Sequence, residues 1–396
     1  MMETQSTPRA NRLHIAIYGK RNSGKSSLLN ALTQQQVALV SEVLGTTTDP
    51  VYQSMEIPGL GPCVWIDTAG FDDEGELGML RIGQTLKVLD KTDVAILVCT
   101  GTEVSAEKVW LKRLQEKKIP TLVLLNKVDT CTQPEEVLNQ LHALLGIRPL
   151  AVSARNQQGL EAVRDALIRL AADEVQPSIV AHLVEPGQLV LLVMPQDIQA
   201  PKGRLILPQV QTLRELLDRK CSVMCCTTDE LGTTLQHLSQ HPDLIITDSQ
   251  VFNKVYAQKP AGSRLTSFSV LFARQKGDIT YFTESTQAFE HLHPHSRILI
   301  AEACTHAPMT EDIGRVKLPA MLRKRFGEAL QIDLVSGADF PADLTAYDLV
   351  IHCGACMFNR KHVLNRVAQA KSQQVPMTNY GVAIAWINGI LEKIVY

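Results

Sequence analysis

At 396 residues the chain is too long for one ordinary domain, and at roughly 100–200 residues per domain it points to two to four. An apolar fraction of 45% can fill real cores, while 39 basic against 41 acidic residues leave a net charge of −2, which argues against a protein whose work is gripping nucleic-acid backbone. No apolar run approaches the ~20 residues of a membrane-spanning helix, and the opening MMETQSTPRANRL has no apolar secretory core. A cytoplasmic protein that binds neither membrane nor nucleic acid is expected. Nine cysteines, an odd number, make a poor disulfide framework in a reducing compartment.

In chain order, the first ~170 residues alternate strand-like apolar runs with helical patterns. The strands expected are LHIAIYG (13–19), CVWIDTAG (63–70), VAILVCTG (94–101), TLVLLNKVD (121–129) and PLAVSA (149–154). Helices start near Lys25, Ala106, Glu135 and Leu160. Such alternation specifies an α/β domain with a mostly parallel sheet. The polar stretch DEVQPS (173–178) closes it, so the first domain is 1–174. A middle domain, 175–276, carries the strands QLVLLVMP, SVMCCTT and LIITDS with intervening helices and no visible chemistry. Its Cys225 and Cys226 are adjacent on a strand, point to opposite faces and chelate badly together. The third domain, 277–396, alternates again: RILIAEAC (297–304), QIDLVSG and YDLVIHCGAC (347–356), each followed by or following a helix. The fold class is therefore α/β throughout, a nucleotide-binding domain followed by two further α/β domains.

GKRNSGKS (19–26) follows a strand and opens a helix, the context of a P-loop. Gly19 and Gly24 let the backbone turn its amides to phosphate oxygens, with Ser23 and Ser27 completing the loop. Lys25 neutralises the β- and γ-phosphates, and Ser26 offers its hydroxyl to Mg²⁺. NKVD (126–129) and SAR (153–155) name the base. Asp129 accepts from guanine N1 and N2, a donor pair adenine lacks, while Asn126 braces the loop and Lys127 covers the ring. Ser153 and the Ala154 amide complete the pocket, the amide reaching guanine O6. Rejection of adenine is effective because buried polar groups would stay unpaired. DTAG (67–70) places Asp67 near Mg²⁺ and the Gly70 amide near the γ-phosphate, and GTTTD (45–49) supplies the switch threonine, Thr47. Lys25, Thr47 and Gly70 are thus the expected catalytic set for GTP hydrolysis.

Over roughly residues 10–172 this set resembles the TrmE–Era class of GTPases. Phe71 stands after DTAG where Ras-like proteins carry a water-orienting glutamine, so slow hydrolysis is expected. Asn22 matches the asparagine that helps hold K⁺ in potassium-activated members, with simple loop stabilisation as the other reading.

The third domain pairs CTH (304–306) with HCGAC (352–356). Each group ends a predicted strand, and strand carboxyl ends form the ligand crevice of an open parallel sheet. Cys304, Cys353 and Cys356 can therefore meet there, with His306 and His352 close by. Soft ligands favour zinc or an iron–sulfur cluster over magnesium or calcium. HLHPH (291–295) reads instead as a solvated loop.

A GTPase followed by CTH and HCGAC resembles the HydF family, the maturation GTPases of iron-only hydrogenase, over essentially the whole chain. That resemblance implies a 4Fe-4S cluster on Cys304, Cys353 and Cys356 and a middle domain that forms a homodimer. It also implies a scaffold or carrier role, delivering a diiron precursor to apo iron-only hydrogenase alongside radical-SAM maturases. Three thiolates leave one iron open, with His352, His306 and Glu302 as candidates for it. Two other readings compete: a TrmE–Era-like GTPase acting on RNA with a zinc-stabilised C-terminal domain, and a GTP-driven chaperone for a metal such as nickel.

Overall fold

The computed structural model describes residues 12–33, 50–57, 59–71, 75–172, 177–195, 205–302, 313–337, 339–355 and 358–396. The chain divides into two compact units, 1–175 and 176–396.

The first unit runs β1 (Leu13–Gly19), α1 (Lys25–Thr33), β2 (Val51–Ile57), β3 (Gly61–Asp67), α2 (Gly75–Leu89), β4 (Val94–Cys99), α3 (Ser105–Glu116), β5 (Thr121–Leu125), α4 (Pro134–Leu145), β6 (Leu150–Ala151) and α5 (Leu160–Ala172). Its sheet has the order β2-β3-β1-β4-β5-β6. β2 pairs antiparallel with β3 and every other pairing is parallel. The strand period of two divides each central strand between two cores. Ile15 and Ile17 join Leu28, Val94 and Val152 on one face, while Ala16 and Tyr18 join Trp110 and Leu141 on the other. Leu28 and Leu29 of α1 are fully buried, each worth ~1.5–3 kcal/mol, and this docks the helix whose first turn carries the phosphate-binding residues.

In this unit β2 and the end of the run 121–129 depart from the sequence reading, and the strand expected over 149–154 is reduced to β6. β2 is half-exposed along its length, so VYQSMEI shows no clean alternation, yet it pairs with β3 from Val51↔Asp67 to Ile57↔Gly61. The run 121–129 stops being a strand at Leu125, because Lys127 takes a left-handed conformation, φ 62°.

The second unit continues with β7 (Leu189–Val193), α6 (Leu207–Asp218), β8 (Ser222–Cys226), α7 (Leu231–His237), β9 (Leu244–Thr247), α8 (Phe252–Gln258), β10 (Arg264–Ser267), α9 (Phe268–Lys276) and α10 (Ile279–Glu284). It ends with β11 (Arg297–Glu302), α11 (Leu318–Phe326), β12 (Gln331–Ser336), β13 (Leu349–His352), α12 (Arg360–Ser372), β14 (Met377–Asn379) and α13 (Tyr380–Ile387). Two four-stranded, all-parallel sheets result, β10-β9-β7-β8 and β12-β11-β13-β14. Leu191 and Ile245 from the first share one apolar cluster with Leu299 and Val350 from the second, so the two sheets are packed into a common core.

Candidate functional site

The phosphate loop is built around Gly24, whose φ is +85°. A Cβ there would stand 2.4 Å from Asn126 Nδ2, so the position needs glycine for both conformation and space. Asn126, 2% exposed, ties three segments together. Its Nδ2 donates to Ser23 O at 2.9 Å, and its Oδ1 accepts from the Ala154 amide at 3.2 Å. In this arrangement the Ala154 amide is engaged by Asn126, the bracing partner the sequence named. Ser153 Oγ donates to Asp129 Oδ1 at 2.6 Å, which aims the exposed Asp129 carboxylate. The Ser153 side chain thus acts through Asp129.

Lys25 Nζ donates to Gly19 O at 3.0 Å and Lys20 O at 2.8 Å. Its ammonium is curled over the loop on neutral acceptors that phosphate oxyanions outcompete. Ser26 Oγ donates to Asp67 Oδ2 at 2.5 Å. Asp67 is 1% exposed, and its Oδ1 has no hydrogen-bond partner among the described residues. Burial pushes its pKa up, against the Ser26 hydrogen bond and the Lys25 charge. A serine hydroxyl beside a buried carboxylate with an orphaned oxygen is an all-oxygen donor set that fits Mg²⁺. Gly70 comes hard against the loop, where a Cβ would lie 2.7 Å from Arg21 N. Asn22 is exposed in the left-handed region, φ 59°, and Ser27 lies half-buried in α1. Thr47 lies outside the described residues.

Phe71 explains what its side chain does instead of orienting water. It is 6% exposed and stacks on Trp110 with ring centroids 5.3 Å apart, so it is a core residue. Sequence reading missed the pairing of Lys20, the residue after Gly19, with Glu103 and the buried Glu107. Burial works against the Lys20 charge, but hydrogen bonds and these two carboxylates raise its pKa overall. No motif signals that contact.

Asp129→Asn is expected to weaken GTP binding by more than tenfold while improving xanthine-nucleotide binding, because the amide donates where the carboxylate accepts. Titration with fluorescent GTP and XTP analogues checks it; unchanged GTP affinity rejects the assignment.

The second site lies at the carboxyl edge of the sheet β12-β11-β13-β14. β11 comes first in the chain, with β12 on one side and β13 on the other, so the strand order reverses between β11 and β13. Ligand crevices form at such a reversal. Ala301 of β11 pairs with His352 of β13, and Cys353 N donates to Ala301 O at 2.9 Å. Glu302 and Cys353 are thereby brought to one edge. The half-buried Cys353 Sγ accepts the Ala355 amide at 3.4 Å, and Ala355 turns the chain in the left-handed region, φ 51°. A thiolate oriented by an amide N–H is suited to a soft metal or a cluster. Cys304, His306 and Cys356 lie outside the described residues.

His352 is fully buried, and both ring nitrogens are occupied. Nδ1 bonds Cys353 O at 2.7 Å, and Nε2 faces Arg366 Nη1 at 2.9 Å. Arg366 can only donate, so Nε2 accepts and Nδ1 carries the proton. Burial, reinforced by the Arg366 charge, takes the pKa down to about 3. This neutral imidazole has no lone pair left for a metal and instead braces the Cys353 backbone. Glu302, 5% exposed, accepts at Oε2 from Arg315 Nε at 2.9 Å. His291, His293 and His295 are all exposed, as a solvated loop requires. Cys225 is exposed and Cys226 half-buried at the end of β8. Among the described residues no helix is long and apolar enough to cross a membrane.

Residues 280–396 match the hydrogen maturase F tetramerization domain and residues 179–277 the hydrogen maturase F dimerization domain, together more than half of the chain. Residues 14–127 match the 50S ribosome-binding GTPase family. The tRNA modification GTPase MnmE of Bordetella petrii is 35% identical over 161 residues, 40% of this chain and 34% of that protein. Its counterpart in Nitrosomonas europaea is 33% identical over 162 residues, 40% and 35%. The chain thus spans about a third of the length of these curated relatives, all within the GTPase region. Among solved structures, a probable GTP-binding protein engB is 20% identical with TM-score 0.35, covering 40% of this chain and 99% of that one. A variant of Aquifex aeolicus Era bound to GDP and AlF4⁻ is 18% identical with TM-score 0.36, covering 63% and 98%.

Proposed function

The chain belongs to the hydrogen maturase F family, and on that premise we propose that it is a GTP-hydrolysing scaffold for a 4Fe-4S cluster that assists delivery of a diiron precursor to apo iron-only hydrogenase. The observation that carries the cluster is the strand reversal between β11 and β13. It brings Glu302 and Cys353 to one edge, with Cys304 two residues beyond Glu302 and Cys356 three beyond Cys353 in sequence. These three cysteines are the proposed ligands. With His352 spent on Arg366 and Cys353, the fourth iron is left to His306, Glu302 or a group brought by a partner. Radical-SAM maturases are the partners that the family implies, in the cytoplasm.

In the GTPase unit, Lys25 and the Gly70 amide hold the γ-phosphate, and Thr47 is the switch threonine that the sequence assigns to it. Ser26 and Asp67 hold Mg²⁺. That ion supplies neutralisation of charge on the phosphates. With Phe71 in the core, no side chain at that position positions water, so basal turnover is slow. Asn22, exposed on the loop, is the residue we assign to K⁺. Self-association is proposed through both matched segments, a homodimer through 179–277 with 280–396 joining dimers.

Iron and acid-labile sulfide in anaerobically prepared protein test the cluster. Brown protein carrying both supports it; colourless protein holding zinc rejects it in favour of a zinc-stabilised relative of the RNA-directed GTPases. On the same preparation, GTP turnover should be faster in K⁺ than in Na⁺ at equal ionic strength, and equal rates remove the assignment of Asn22.

A further inference from the structure

Neither the nucleotide site nor the cysteine ligand set uses a cation buried in the second unit. α9 ends at Lys276, which is only 4% exposed. Its ammonium donates to Ala355 O at 2.8 Å and to Phe358 O at 3.0 Å. Those two carbonyls bracket Cys356 in sequence, one residue before it and two after. The contact is reciprocal. Arg360, the first residue of α12, donates through Nη1 to Gln275 O at 2.6 Å and Gly277 O at 3.1 Å, the carbonyls on either side of Lys276.

Burying an ammonium is costly unless good acceptors receive it, and each charge-assisted bond to a carbonyl is about twice as strong as a neutral one. The guanidinium of Arg360 also meets the carboxyl end of α9, where helix carbonyls concentrate partial negative charge. Two long cationic side chains are therefore committed to fastening one short loop to the end of one helix. That loop contains Ala355 in the left-handed region, a conformation costing roughly 1–2 kcal/mol for a residue with a Cβ. Lys276 bonds the carbonyl of this strained residue itself. The loop begins at Cys353, whose Sγ accepts the Ala355 amide, so its strained shape is the shape in which that thiol is presented.

We propose that Lys276 is a positioning residue for the thiolate of Cys353, holding Ala355, whose amide orients that sulfur, in metal-receiving shape and placing a fixed positive charge beside it. The proposal rests on the cluster reading above. Without the ammonium, two carbonyls lose their donor, and the loop must be ordered each time metal is taken up, at an entropic cost. A nearby cation also favours the reduced, more negative state of a cluster, one of the ways a protein sets cluster potential.

The experiment compares wild type, Lys276→Met and Lys276→Arg as full-length, reconstituted proteins, with a circular-dichroism melt and protease resistance of the 176–396 unit reporting that each is folded. Release of iron to an added chelator is expected to be ~10–100-fold faster in Lys276→Met, the scale seen when a residue outside the ligand set of a metal site is lost. Its reduction midpoint should move to more negative potential, and Lys276→Arg should restore most of both. Wild-type iron release and potential in folded Lys276→Met overturn the proposal, as does an Arg variant as defective as the Met one. Should Lys276→Met fail to fold, Arg360→Met removes the other half of the fastening and is held to the same iron-release outcomes. A wild type that binds no iron overturns the cluster reading and this proposal with it. A loaded wild type matched by Lys276→Met overturns this proposal alone.

Discussion

Lys25→Ala is expected to reduce GTP turnover by at least ~100-fold, the scale of removing one preorganised donor from developing transition-state charge. In the resting loop the ammonium sits on Gly19 O and Lys20 O, both acceptors of the loop that wraps the phosphates. Alanine leaves that wrap without its neutralising charge but does not disturb α1, whose hold on the sheet comes from Leu28, Leu29 and Leu32. Folding should therefore survive and turnover should not. Single-turnover hydrolysis with a circular-dichroism melt on the same sample checks both halves. Turnover within a few-fold of wild type in a folded variant would remove Lys25 from the mechanism.

Cys353→Ser should strip the protein of iron and sulfide and leave GTP turnover close to wild type. Serine is a hard, weakly acidic donor in place of a soft thiolate, so it holds a cluster poorly. The polar geometry around it is otherwise kept: Asn379 Nδ2 donates to Cys353 O at 3.2 Å, and Cys353 N bonds Ala301 O. The two compact units close separate cores. Every residue of the clusters around Trp65 and Trp110 lies in 1–175, and every residue of the clusters around Leu299, Phe272 and Phe289 lies in 176–396. Among the described residues, no apolar cluster that a lost thiolate in the second unit could disturb includes a residue of the first. Conversely, Lys25→Ala should assemble its cluster normally. GTP is then a switch acting through differential affinity for two states. A folded cysteine variant that loses GTP turnover, or a Lys25 variant without iron, would show the two sites to be coupled.

What the sequence determined by itself is local. A strand, a glycine-bearing loop and a helix start must stand in contact order for phosphate to be bound, so GKRNSGKS carried its own geometry. The alternation of buried strands and helices likewise dictated mostly parallel sheets. β2 escaped notice because an edge strand is half-exposed and needs no clean period. Its pairing is decided by β3, not by its own residues. The metal-site reading was divided in the same way. That Glu302 and His352 end neighbouring strands could be inferred from apolar runs, but what the histidine nitrogens bond could not. Only the packed structure brings Arg366, fourteen residues after His352, onto Nε2, and only it buries Lys276 beneath a loop 79 residues distant. Motifs record contacts made within a few residues of chain; contacts between distant cations and backbone carbonyls leave no such spacing, because any lysine on any helix end could have made them.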